Sequence, residues 1–587
     1  QVDLRAMPYH LDDEAIAWVE ETIASMSDAE KIGQLFVNMG ASRTPEYLKG
    51  VLEDYKFGAV RYNPGTAAEV HEQNRILQEN SKIPLLIASN AEAGGDGACS
   101  DGTHVGYPIK LGAAADPSWA FQMGRIAGLE SSAIGCNWAF APVVDLLMNW
   151  RNPIISNRAF GADPELVLAY GKEYFRGMSE SGVACAMKHF PGDGVDERDH
   201  HLSSSVNSLS TDEWDATFGR VYSGLIEAGV QSVMVGHIMM PAYQRHFAPD
   251  TTREQLLPAS LCPEITTDLL KGKLGFNGVV VTDASHMVGM TGAMRRRDLL
   301  PTAIMAGCDL FLFFNDPDED FGWMMEALQD GRLTRERLDE AITRTLGLKA
   351  KIGLHKLAKD DILPPKDEAL SRIARPEFQA VAAEVSDRAV TLVKNKDAGV
   401  LPLSPAKFKR VLVVPIKGPK NPMAHGMGSK ASGAKKIADE LAARGYEVEL
   451  YESLTDRMDH MTAEEAADLV KSAYQNKSPI AALTDNYDMV LSVAEVNGLM
   501  QPTERIYWPA SKGTPDIPWY VHELPVVFVS LACPYHLADV PQVKTFVNAY
   551  DNADHTIRAV IDKLEGRSEF TGVASTDVFC GLRDTVL

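Results

Sequence analysis

The chain has 587 residues, a net charge of −23 and 45% hydrophobic residues. That length exceeds one ordinary domain, and the balance of apolar and charged residues is that of a globular protein. The acidic excess disfavours nucleic acid or an anionic membrane as partner. Seven cysteines are scattered through the chain with no C-x-x-C or Cys/His finger spacing. Several, such as Cys136, Cys185 and Cys308, sit inside apolar runs and read as buried small hydrophobes. This usage favours a reducing, cytoplasmic setting. No run of eighteen apolar residues occurs, so no transmembrane helix is expected.

Residues 11–35 read as helical, with a capping box at Ser27-Asp-Ala-Glu30. Apolar runs then alternate with amphipathic stretches. The runs are Phe36–Met39, Gly58–Tyr62, Leu85–Ser89, Trp138–Asp145, Ala184–His189, Ser232–His237, Val279–Asp283 and Asp309–Phe314. Runs that are apolar throughout suit parallel strands covered on both faces. Eight such runs with intervening helices predict a (β/α)8 barrel over 1–353; an open doubly wound sheet is the alternative. The runs end in Asn90, Asp145, Lys188-His189, His237, Asp283 and Asn315, where a barrel would place its active site.

Residues 354–395 read as a Lys/Asp/Pro-rich linker followed by one connecting helix, Arg375–Val393. Residues 396–587 read as a smaller α/β domain with strands at 410–415, 446–451, 488–493 and 525–530 and helices near 434–444 and 553–564. The Gly/Lys-rich segment from Lys417 lacks the P-loop order and is read as a loop with no nucleotide.

The stretch Lys188–His201, K-H-F-P-G-D-G-V-D-E-R-D-H-H, joins a buried strand to a loop crowded with proton-transfer groups. It resembles the signature loop of glycoside hydrolase family 3, most closely the bacterial β-N-acetylglucosaminidase branch. There the loop reads Lys-His-Phe-Pro-Gly-His-Gly, four residues, Asp-Ser-His. F140-A-P-V-V-D145, N157-R-A-F-G-A-D-P164, V233-M-V-G-H237, L274-G-F-N-G-V-V-V-T-D283 and A389-V-T-L-V-K-N395 match other family segments. The resemblance implies a barrel followed by an α/β sandwich domain, and a retaining mechanism.

It also implies roles. Asp283 falls at the catalytic nucleophile. His201, oriented by Asp199, falls at the acid/base, a task suited to a side chain that titrates near neutrality. Arg158, Lys188 and His189 fall on sugar-binding positions. The family's early acid, in Asp-Gln-Glu-Gly-Gly, is replaced by Asn90-Ala-Glu-Ala-Gly-Gly95, so either Asn90 or Glu92 serves there. His200 stands where the family has Ser, and Asp193 where it has His. In an extended loop His200 and His201 would point opposite ways.

A histidine acid/base does not repel phosphate as a glutamate would. The altered Asn90-Ala-Glu-Ala-Gly-Gly95 segment resembles β-glycoside phosphorylases of the same branch, and with the histidine, which hydrolases of the branch also carry, it makes the expected activity a retaining phosphorylase of β-glucosides or β-N-acetylglucosaminides, with inorganic phosphate as co-substrate and no cofactor. A hydrolase using water is the alternative. A metal hydrolase built on His189, Asp199, His200, His201 and His237 is disfavoured because no H-x-H ends the first strand, so no metal is expected. A small β-glycoside is the expected partner, and homo-oligomerisation is left open.

Overall fold

The computed structural model describes residues 1–419, 432–508 and 512–587. The chain divides into two compact units: Gln1–Pro108 with Pro117–Val381, and Ile109–Asp116 with Ala382–Leu587. Most of the Gly/Lys-rich segment after Lys417 lies outside the described residues.

The first unit is the barrel. All eight apolar runs form parallel strands: β1 Phe36–Met39, β2 Ala59–Arg61, β3 Leu86–Ser89, β4 Trp138–Ala139, β5 Ala184–Phe190, β6 Ser232–Val235, β7 Val279–Thr282 and β8 Phe311–Leu312. They pair in sequence order, and β8 returns to β1 through Phe36–Phe311 and Val37–Leu312. A parallel bridge between Val281 and Leu310 joins β7 to β8 and completes the ring. Their apolar character follows from burial on both faces; β3, β5, β6 and β7 are buried at every position. Inside the ring, the Trp138 indole of β4 donates to Ser232 Oγ of β6 at 2.8 Å. The Ser27–Glu30 capping box forms as expected and starts the helix Asp28–Gly33.

The run from Trp138 to Asp145 is only partly strand. Pro142 has no N–H to give the ladder, yet Val143 still bridges Lys188. This continuation delivers Asp145 to the end of β5.

Two expectations between the units need correction. Residues 354–375 are not a free linker. They fold onto the first unit through short turns and the helix Lys366–Ser371. His71 Nε2 donates to the Pro364 carbonyl at 2.7 Å, and Ala374 N donates to the buried Glu130 at 2.9 Å. The helix expected over Arg375–Val393 ends at Ala389 and gives way to strand β9, Thr391–Asn395. Its β-branched residues favour a pleated, half-buried position, and an antiparallel partner is available.

In the second unit the remaining strands are β10 Arg410–Lys417, β11 Glu447–Leu450, β12 Met489–Glu495, β13 Val526–Ser530 and β14 Thr545–Asn548. The sheet order is β9-β14-β13-β12-β10-β11, with only β9 antiparallel. One face packs Val411, Val413 and Leu491 against the helices Gly433–Ala443 and Asp554–Leu564. The other packs Leu412, Val414 and Phe528 against Tyr520 and Leu537. The segment Ile109–Asp116 is fixed within this unit by Lys110, whose buried Nζ lies 2.7 Å from Asp551 and donates to Ser386 Oγ at 2.6 Å. Among the described residues no helix is long and apolar enough to cross a membrane.

Candidate active site

The polar residues ending the barrel runs converge at the C-terminal rim of the barrel. Glu92 follows β3 and Asp145 follows β4. Lys188 and His189 end β5, His237 follows β6, and Asp283 follows β7. Adjacent strand residues ordinarily face opposite sides. Here the β5–β6 ladder shifts register between Lys188 and Phe190. Such an irregularity re-aims side chains, and both Lys188 and His189 contact acids of the site.

Of the two candidates, Glu92 is the side chain that meets the cations of the site. Its carboxylate accepts from Arg158 Nε at 2.9 Å and Nη2 at 2.8 Å, a bidentate pair. Lys188 Nζ lies 2.7 Å from Glu92 Oε1. Burial by itself disfavours the Glu92 charge, but Arg158 and Lys188 outweigh it and hold the carboxyl well below the usual range. Lys188 is pulled down by burial and by Arg158, against Glu92. The pair with Arg158 is therefore the firmer of the two. Asn90 contributes its main-chain carbonyl, which accepts from Glu92 N at 2.8 Å.

Asp283 sits at the centre of an imidazole cage. Its Oδ2 is 3.9 Å from both His189 Nε2 and His200 Nε2, and its Oδ1 accepts from Ala284 N at 2.7 Å. Burial pushes the carboxyl up, and the surrounding His189, His200, His237 and His201 reverse this, leaving it well below the ordinary value. Burial lowers His189, His200 and His237 themselves, while the charge of Asp283 pulls each the other way. His189 Nδ1 lies 2.7 Å from Asp145 Oδ2. Burial raises that carboxyl to about 8. Asp145 Oδ1 also accepts from His189 N at 3.1 Å and from Asp193 N at 2.8 Å.

Asp199 Oδ1 lies 2.7 Å from His201 Nδ1 and also accepts from His201 N at 2.9 Å. Burial disfavours the imidazolium, but the hydrogen bond and charge of Asp199 win, and His201 is raised. Asp199 is correspondingly lowered, its own burial notwithstanding. His201 Nε2 is left for a ligand, and this side chain is the more exposed of the two neighbouring histidines, at 19% against 1% for His200.

The loop is not extended, as expected, but closes a turn in which Leu202 N and Ser203 N both donate to the Asp199 carbonyl. The two rings still diverge: His201 goes to Asp199, while His200 turns inward toward Asp193 and Asp283. Gly194 makes the turn before it possible. Its φ is +109°, and a Cβ would lie 1.9 Å from the Leu146 carbonyl oxygen.

Asp145, Asp193, His200 and His237 were not assigned to the site from sequence. All four end apolar runs or stand at departures from the family loop, which was the available signal. Asp199, His200 and His201 can bring one ligand atom each within 4.8 Å of one another. Within this group His201 Nδ1 is engaged by Asp199, and His200 Nδ1 accepts from His237 N.

The model of the "Glycosyl hydrolase family 3 N terminal domain" matches residues 28–348. A "Beta-N-acetylglucosaminidase/beta-glucosidase" from Cellulomonas fimi is 40% identical over all of both chains. The solved structure of "Beta-glucoside phosphorylase BglX" is 39% identical, covers 99% of each chain and superposes with a TM-score of 0.89. A family 3 β-N-acetylglucosaminidase from Paenibacillus sp. is 25% identical, with a TM-score of 0.74 over 95% of this chain and 100% of its own.

Proposed function

Because this chain belongs to glycosyl hydrolase family 3 and is a retaining β-glycosidase-type enzyme, we propose that its natural acceptor is inorganic phosphate. In this reading it is a β-glycoside phosphorylase acting on β-glucosides or β-N-acetylglucosaminides. The residue roles are part of the same proposal. Arg158, Lys188 and Glu92, with His189, hold the donor sugar. Asp283 attacks the anomeric carbon while His201 Nε2–H protonates the departing glycosidic oxygen, giving a glycosyl ester and a free aglycone. Phosphate then displaces Asp283 with a second inversion, and a β-sugar 1-phosphate leaves.

One observation carries the acceptor reading. The group set to move the proton is an imidazole paired with Asp199, not a second free carboxylate. An anionic acid/base ~4 Å from phosphate would cost about 4 kcal/mol at an effective dielectric near 20; a neutral or cationic imidazole removes that repulsion. The likeness along the full chain to a β-glucoside phosphorylase supports the same choice. The equally extensive likeness to a β-N-acetylglucosaminidase/β-glucosidase favours water as the second reading.

Product analysis separates them. An aryl β-glucoside and its N-acetylglucosaminide are turned over with and without phosphate. Faster turnover in phosphate with release of β-sugar 1-phosphate supports the proposal. Unchanged rate and free sugar alone in phosphate would sink it. An α-1-phosphate would contradict retention.

A further inference from the structure

The two places where the loop departs from its family pattern, Asp193 and His200, meet in space. His200 Nε2 lies 3.6 Å from Asp193 Oδ2 and 3.9 Å from Asp283 Oδ2. Its tautomer is fixed from behind, because His237 N donates to His200 Nδ1 at 3.2 Å, so the hydrogen is on Nε2. Asp193 Oδ1 is fully engaged, accepting from Asn152 Nδ2 at 2.9 Å and Gly194 N at 2.7 Å. Asp193 Oδ2 is buried and has no hydrogen-bond partner. One N–H thus stands between two carboxylate oxygens, slightly too far from either for a full hydrogen bond. A small tilt of the ring selects one or the other.

We propose that Asp193 and His200 form a positioning pair for the nucleophile, in which His200 Nε2–H steadies Asp283 Oδ2 in the free enzyme and is handed to Asp193 Oδ2 as Asp283 is esterified. The inference rests on Asp283 being the nucleophile. An N–H held on the attacking oxygen stabilises the carboxylate and opposes its reaction. A second acceptor relieves that hold as the charge of Asp283 is consumed. No covalent bond changes within the pair.

Asp193 can take the N–H fully only when ionised. Burial, together with the charges of Asp145 and Asp199, raises it to about 8. The other groups facing His200 are Asp283, His201, His189 and His237. When Asp193 ionises its proton goes to solvent, and ester formation should quicken as pH rises toward 8.

The test uses 2,4-dinitrophenyl 2-deoxy-2-fluoro-β-glucoside, whose leaving group needs no proton from His201. Its inactivation rate then reports on the nucleophile's surroundings alone. In the unaltered enzyme the label should map to Asp283, and the rate should rise between pH 6.5 and 8. Asp193→Asn should abolish that rise and lower the rate about tenfold at pH 8, with reagent affinity unchanged within twofold. His200→Ala should also abolish the rise. Adding Asp193→Asn to His200→Ala should change nothing further, since Asp193 acts through His200. A label on another residue overturns the nucleophile assignment and the pair with it. A label on Asp283 with an intact pH rise in Asp193→Asn, or a full Asp193→Asn effect in the His200→Ala background, overturns the pair alone.

Discussion

Lys188 Nζ and Glu92 Oε1 lie 2.7 Å apart, although one ends β5 and the other follows β3. With Arg158 on the same carboxylate, three closely packed charges lock two strand ends and one loop into a single surface, the one proposed to hold the donor sugar. Two cations around one anion leave hydrogen-bonding capacity directed at a neutral, hydroxyl-rich ligand.

Glu92→Gln tests this surface. Removing one partner of a buried ion pair costs about 3–5 kcal/mol, because the remaining charges lose their counter-ion. The expected result is a donor KM raised at least tenfold and kcat/KM lowered about 100-fold. Asn90→Ala leaves the carboxylate in place and should change kcat/KM less than threefold. Steady-state kinetics of both variants decide between the two candidates for the early acid.

Asp199→Asn should reveal what the carboxylate does for His201. Burial lowers an imidazole's affinity for its proton, and Asp199, with a smaller contribution from Asp283, reverses that here. With the charge gone, His201 loses its proton at lower pH. For a substrate whose leaving group needs protonation, the basic limb of kcat/KM should move to lower pH and the rate should fall 10²–10³-fold, as for loss of general acid catalysis. An aryl glucoside with a good leaving group should be much less affected. An unmoved basic limb would exclude His201 as the acid.

Asp283→Ala should abolish turnover of both glucoside and N-acetylglucosaminide, while added azide, a small anionic nucleophile, should restore activity on an activated donor and yield the α-glycosyl azide. Prolonged treatment with a chelator should leave the intact enzyme fully active. Loss of activity to chelator, restored by a divalent metal, would favour an ion at Asp199, His200 and His201 over the hydrogen-bonded arrangement.

The barrel was legible because its strands are buried on both faces, save the last residues of β1 and β2, Met39 and Arg61, and therefore appear as mostly apolar runs. The catalytic candidates were legible because runs such as Val279–Asp283 stop abruptly at an ionisable residue. β9 and β14 were missed for a local reason. Thr391–Asn395 directly follows a helix of similar apolar content, and only its pairing with Thr545–Asn548 distinguishes strand from helix. Glu92 was left open against Asn90 because spacing along a loop does not say which side chain meets Arg158. The approach of Asp193 and His200 to Asp283 was equally hidden, since a turn centred on 199–202 brings them together, not a periodic element.

The last prediction concerns stability. In the folded enzyme burial and the neighbouring carboxylates raise Asp193 to about 8, against 3.8 for an ordinary aspartate. Between those values the unfolded chain has released a proton that the folded chain retains. The folded state then binds more protons, so its stability falls as pH rises through this window. Asp193→Asn keeps the shape but cannot ionise, and it removes this part of the fall. The Tm of the variant minus that of the unaltered enzyme should therefore grow by a few degrees from pH 5 to pH 8.5, each unit of offset being worth at most ~1.4 kcal/mol per pH unit. Asp145 lies beside Asp193 and is freed from its charge in the variant, which acts in the same direction. A Tm difference that is constant across this range would mean that Asp193 keeps an ordinary carboxyl pKa in the folded chain.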